Sequence, residues 1–123
     1  MAQPFLRAIP MQGEFPLFYF NGEHSHTTLK RPKAADFRVQ EEHGGSSVAT
    51  VAEPALLAAG ERVLRSLGEV PLYARADFVR ADGPHDFWLM ELELIEPSMY
   101  LRMDAKAPER FARALHERAS REP

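Results

Sequence analysis

Three carboxylates carry the strongest chemical signal in the sequence. Glu91 and Glu93 lie two positions apart in the run Phe87–Ile95, which is rich in strand-forming residues. Side chains of a strand alternate between faces, so these two share a face with their Cβ atoms about 7 Å apart. Trp88, Met90, Leu92 and Leu94 then point to the opposite side, toward a core. A second run, Leu72–Arg80, offers Tyr73, Arg75, Asp77 and Val79 on one face and Leu72, Ala74, Ala76 and Phe78 on the other. The apolar face is the one to bury, which turns Asp77 the same way as Glu91 and Glu93. Like charges this close repel unless something neutralises them. A hard cation such as Mg²⁺ would do so, with substrate phosphates completing its shell. A solvated acidic face paired with Arg75 and Arg80 is the other reading, and these residues alone leave both open.

A second group lies between residues 38 and 45. Arg38 offers a planar fork suited to phosphate or carboxylate. Gln40 is close by, and Gly44-Gly45 lets backbone amides approach an anion. A plain surface loop would have the same composition. His24-x-His26 places two imidazoles on one face of a regular strand, a spacing that would serve zinc. No third ligand is evident near them, which leaves a hydrogen-bonded structural role. Nucleotide-loop, nucleophile-elbow and zinc-helix motifs are absent. An Asp followed by Glu-x-Lys would suggest a metal nuclease, but Glu91-Leu92-Glu93 lacks that lysine.

These groups need elements to position them. Gly13–Phe20 reads as a strand, Asn21-Gly22 as a type I′ hairpin turn, and Glu23–Lys30 as the returning strand. Lys33–Thr50 has no apolar period and reads as a long loop. Pro54–Leu67 is a helix with Leu56, Leu57, Val63, Leu64 and Leu67 on one stripe, Pro54 in its first turn and Gly68 past its end. Leu72–Arg80 and Phe87–Ile95 form a second hairpin across Ala81–Pro84. Pro108–Ala119 is an amphipathic helix with Phe111, Ala112, Leu115 and Ala119 inward. Short connections make both strand pairs antiparallel. The fold class is α+β, an antiparallel sheet with helices on one face.

The chain has 123 residues, 45% hydrophobic and 27% charged. Roughly two-thirds of its surface would be buried on folding, enough for one core and one domain, 1–123. Its net charge of −3 argues against a nucleic-acid or anionic-membrane surface. No apolar run reaches the ~18–20 residues of a membrane span. Without cysteine there are no disulfides or thiolate metal sites. A cytoplasmic location is the expectation, since the N-terminus carries no secretory pattern.

The pieces, in order, resemble the C-terminal subdomain of an ATP-grasp ligase of the prokaryotic glutathione synthetase kind. They are Gln3-Pro4-Phe5-Leu6, Gly13-Glu14, a hairpin ending Lys30-Arg31-Pro32, Asp36–Gln40, Gly44-Gly45, Tyr73–Asp77 and Met90–Ser98. The resemblance spans nearly the whole chain. It implies ATP and Mg²⁺ as cofactors and a carboxylate and an amine as small-molecule substrates, joined through an acyl phosphate. It places Asp77, Glu91 and Glu93 at the metal, Arg38 and Lys30 at the phosphates and reacting group, and Gln3 and Leu6 at the adenine. Gln40 stands for a neighbouring asparagine, and Gly44-Gly45 forms the phosphate loop. Glu93 replaces the asparagine of glutathione synthetases and adds a negative charge. The resemblance also implies that the N-terminal half of the nucleotide cleft and the substrate domain lie outside residues 1–123. A partner N-terminal half or a homo-oligomer is then expected, with no ligase activity from this part alone. A non-catalytic, self-associating module is the alternative.

Overall fold

The computed structural model of the chain describes residues 13–31 and 46–121. Asn21 and Gly22 hold φ of 51° and 80°, as a type I′ turn requires. They join β1 (Phe15–Phe20) to β2 (Glu23–Arg31). β3 (Ser46–Thr50) pairs antiparallel with β2. This corrects the expectation of a loop through Thr50. The segment is too polar to show an apolar period, and the open edge of β2 recruits it. Helix α1 (Pro54–Arg65) follows, then β4 (Tyr73–Arg80) and β5 (Phe87–Glu93), a 3₁₀ turn at Leu101–Met103 and helix α2 (Ala107–Arg121). The five strands are antiparallel in the order β3-β2-β1-β4-β5. The α+β reading holds.

Helix α1 covers one face. Leu56 and Ala59 are buried against Leu17, Tyr19, Ala74, Ala76 and Phe78, with Leu57, Val63 and Leu64 packed at the margin. Complete burial of a leucine such as Leu56 contributes about 1.5–3 kcal/mol. The second helix takes the other face, at the turn end of the sheet, which corrects the expectation of both helices on one face: strand alternation turns Phe20 and Tyr73 away from α1, and this helix covers them. Its Phe111 ring lies 4.9 Å from Phe20 and 6.3 Å from Tyr73. Ala107 and Ala114 are its buried residues. Ala112, Leu115 and Ala119 face solvent instead of the core, because the helix presents the 107–110–111–114–118 stripe to the sheet.

Two β-bulges decide which side chains share a face. In β2 one extra residue, Ser25, is accommodated between the pairs Phe18↔His26 and Tyr19↔His24. In β5 the extra residue is Met90, between Asp77↔Glu91 and Phe78↔Leu89. Such an insertion reverses the alternation beyond it. Phe87 therefore packs against the α1 core with Leu92. Trp88, expected in the core, pairs with Val79 on the opposite face and is 44% exposed.

The helix interior contains Gly60, where an added Cβ would run into the Tyr19 hydroxyl. That hydroxyl is buried with no hydrogen-bond partner among the described residues. Alanine gains about 1 kcal/mol of helix propensity over glycine, whereas overpacking costs about 1–3 kcal/mol. Gly60→Ala should therefore lower the urea midpoint, and adding Tyr19→Phe should restore most of it. A midpoint raised by Gly60→Ala alone would contradict this packing.

Candidate functional site

The sheet face away from α1 brings the acidic residues together. Register places Asp77 beside Glu91 and Arg75 beside Glu93. The same rows continue to Pro16 and Phe18 of β1, and Phe18 pairs onward with His26. Arg75 is at the centre. It is 7% exposed and donates from Nε and Nη2 to the two oxygens of Asp77, at 2.9 and 2.8 Å. Nη2 also approaches Glu93 at 3.5 Å, and Nη1 donates to the Ser98 carbonyl at 3.4 Å. Burial alone would lower its proton affinity, but the hydrogen bonds and charge of Asp77 more than offset this and raise it. Arg80, the other arginine considered for the acidic face, instead pairs with Glu53 at 2.8 Å.

Around Arg75, three carboxylates against one guanidinium leave the local field negative. Glu91 shows the consequence. Partial desolvation, a hydrogen bond that protonated Glu91 donates to Glu93, and the charges of Glu93 and Asp77 raise its pKa. Among the described residues no set of three His, Cys, Asp or Glu side chains is gathered tightly enough to hold a metal ion. The Asp77 oxygens are committed to Arg75.

Lys30 lies on the same face. The alternation from His26 through Thr28 puts it there, and Glu14 is its backbone bridge partner, with amide and carbonyl exchanged at 2.8 Å. Its ammonium stands 5.7 Å over the Tyr100 ring. Gln3, Leu6, Arg38, Gln40, Gly44 and Gly45 lie outside the described residues.

The two histidines do not share a face, because the Ser25 bulge separates them. His24 pairs with Tyr19 on the α1 side and bonds Thr27 Oγ1 at 2.7 Å. His26 stacks on Phe18 on the acidic side, ring centroids 4.3 Å apart. Burial lowers the pKa of both. The expected shared face is thereby corrected, and the hydrogen-bonded role stands.

Two members were missed as site residues. Composition presents Arg75 as a screening charge, although Arg75-x-Asp77 on one strand already aligns the two side chains. Glu14 was read only as part of a motif. Burial, with the charge of Asp77 next, raises its pKa from 4.5 to about 7, against the opposing pull of Lys30 and Arg75. Its place beside Lys30 follows from strand alternation once the hairpin register is known.

This α+β unit is the fold of part of the ATP-grasp ligases. In sequence the chain is 34% identical, over 129 aligned positions, to the cycloserine biosynthesis protein DcsG of Streptomyces lavendulae, covering 94% of this chain and 41% of that protein. The crystal structure of D-cycloserine synthetase DcsG matches it with a TM-score of 0.73 at 27% identity, over 94% of this chain and 41% of that one. D-alanine–D-alanine ligase of Bacillus anthracis matches with a TM-score of 0.57 at 16% identity, over 89% and 42%. Its structure in complex with ATP gives 0.57 at 17% identity, over 89% and 40%. These last two show the shared fold alone. No family model matches the chain. The chain spans about two-fifths of the length of the relatives it matches. The resemblance to ATP-grasp ligases read from the sequence is thus shown. Among the described residues no helix is long and apolar enough to cross a membrane.

The raised pKa of Glu14 has a sign that can be measured. The folded state holds this proton more tightly than the unfolded state, whose value is 4.5. The stability it contributes is full below that value and is lost as pH rises through about 7. At about 1.4 kcal/mol per unit, Glu14→Gln should gain roughly 3 kcal/mol relative to the unsubstituted chain between pH 4 and pH 8. Urea unfolding of both proteins at the two pH values checks this. An equal difference at both would contradict it.

Proposed function

We propose that residues 1–123 act as the C-terminal part of an ATP-dependent carboxylate–amine ligase and form one wall of its nucleotide site. The observation that supports this most is the meeting of Asp77, Glu91 and Glu93 around Arg75 on the sheet face that also carries Lys30. In the reaction so read, the γ-phosphoryl group of ATP passes to a carboxylate oxygen and ADP leaves. The amine then attacks the acyl carbon and phosphate leaves. Such chemistry is chiefly positioning and charge neutralisation.

Because no three side chains among the described residues gather tightly enough to hold a cation by themselves, a hard cation would take two carboxylates here and its remaining oxygens from the nucleotide phosphates. The raised pKa of Glu91 marks a negative field that a cation relieves. Bound Mg²⁺ would neutralise phosphate oxygens and tie them to the protein. Glu91 and Glu93 would hold it first, with Asp77 anchored behind them by Arg75. Lys30, two strands away, would meet the phosphates or the reacting group. Arg38, Gln40, Gly44 and Gly45 are proposed for the phosphates, and Gln3 and Leu6 for the adenine. The remaining half of the cleft and the substrate domain would come from the rest of the enzyme or from a partner chain.

Glu91→Gln separates this reading from a purely structural acidic face. Removing a crowded negative charge should raise folding stability, while calorimetry should show Mg²⁺–ATP binding weakened about ten-fold, or about 1.4 kcal/mol. Asp77→Ala is a poorer probe, because it strands a buried guanidinium at a cost of about 3–5 kcal/mol. Nucleotide affinity unaltered by Glu91→Gln would sink the site assignment.

A further inference from the structure

After β5 the chain returns across the acidic face as a strap from Glu96 to Tyr100. Both end residues have left-handed backbones, φ 50° at Glu96 and φ 44° at Tyr100. A non-glycine residue there costs about 1–2 kcal/mol, so the path persists only if other contacts over-determine it. Three side chains supply them. Tyr73 accepts from the Glu96 amide at 3.2 Å. Arg75 donates to the Ser98 carbonyl at 3.4 Å. His26 donates from Nε2 to the Met99 carbonyl at 2.9 Å.

The third contact is the shortest and the farthest from β5. His26 lies in the same cross-strand row as Phe18, Arg75 and Glu93, so the strap runs above that row and His26 fixes its distal end. The imidazole is itself fixed. It is 5% exposed, stacks on Phe18 and accepts at Nδ1 from the Ser25 hydroxyl at 2.8 Å. Arg110 of α2 donates to the Ser25 carbonyl at 2.7 Å. With Nδ1 accepting, the proton sits on Nε2, the nitrogen that faces Met99. Next along the strap, the Tyr100 ring stands edge-on to Phe18 at 5.8 Å, under the Lys30 ammonium.

We propose that His26 is a positioning residue for the ligase site. By anchoring Met99 it holds Tyr100 beneath Lys30 and Ser98 against Arg75, and so keeps the two cationic groups in register with the carboxylates. The proposal rests on the ligase reading above, and no contact of His26 with substrate is part of it.

The test compares the full chain with His26→Phe, which keeps the stack on Phe18 but removes the donor, and with His26→Gln, whose amide can donate in place of Nε2. Two reporters are amide exchange and Mn²⁺ affinity, with Mn²⁺ standing for Mg²⁺. The Glu96 amide bonds Tyr73, and the Met103 amide bonds the Tyr100 carbonyl at 2.9 Å. In His26→Phe both should exchange at least ten-fold faster while β4 amides change far less, and Mn²⁺ should bind several-fold more weakly. His26→Gln should recover both. Unchanged strap exchange, or acceleration equal to that of β4, overturns the proposal. So does Mn²⁺ affinity that is the same in all three proteins. If the unsubstituted chain binds no Mn²⁺, the reading of the carboxylates fails by itself, and the exchange ratio alone upholds or overturns His26 as the anchor of the strap.

Discussion

A guanidinium in the interior of a small domain has to be paid for by its neighbours, and Arg75 organises its surroundings accordingly. Desolvating one charge costs several kcal/mol even after relaxation. Here Asp77 engages two of its nitrogens, Glu93 approaches from the next strand, and the Ser98 carbonyl takes another donor. Each partner comes from a different stretch of chain, so the charge cannot be satisfied unless β4, β5 and the returning strap are all in place. The same requirement fixes the acidic face. Asp77 is 2% exposed, a burial that an unpaired carboxylate would not tolerate, while Glu91 and Glu93 are left nearer the solvent.

The two bulges make this face possible. Without Met90 as an extra residue, β5 could not present Glu91 opposite Asp77 and still place Phe87 against the α1 core. Were Ser25 a regular strand residue and not the bulge, His24 and His26, two positions apart, would lie on one face. Each insertion costs ladder regularity and lets one strand serve two environments along its length, a use of bulges common beside functional sites.

Much of this was legible in the residues. The hairpin at Asn21-Gly22, the helix at Pro54, the antiparallel pairs and the shared face of Asp77, Glu91 and Glu93 all follow from local periodicity and turn chemistry. What was not legible has a common cause. A single inserted residue leaves no trace in composition, so the period-two pattern points Trp88 into the core and His24 and His26 to one face, which the bulges reverse. β3 was hidden because a polar edge strand is stabilised by its neighbour and not by its own pattern. The inward stripe of α2 was misplaced because its contacts are partly polar. Arg110 and Arg118 bond the Ser25 carbonyl and Asn21 where an apolar stripe was sought. Strap contacts from Tyr73 and His26 depend on the path of 96–100, which two left-handed residues determine and no motif announces.

The central claim is that the carboxylate row beside Arg75 is a cation and nucleotide wall. Its most direct test is paramagnetic broadening of amide resonances by Mn²⁺ in the presence of ADP. The account predicts that line broadening is strongest at Asp77, Glu91 and Glu93, weaker at Lys30, and small in α1 on the opposite face. Broadening spread evenly over the surface carboxylates, including Glu61, Glu69 and Glu109, would contradict it.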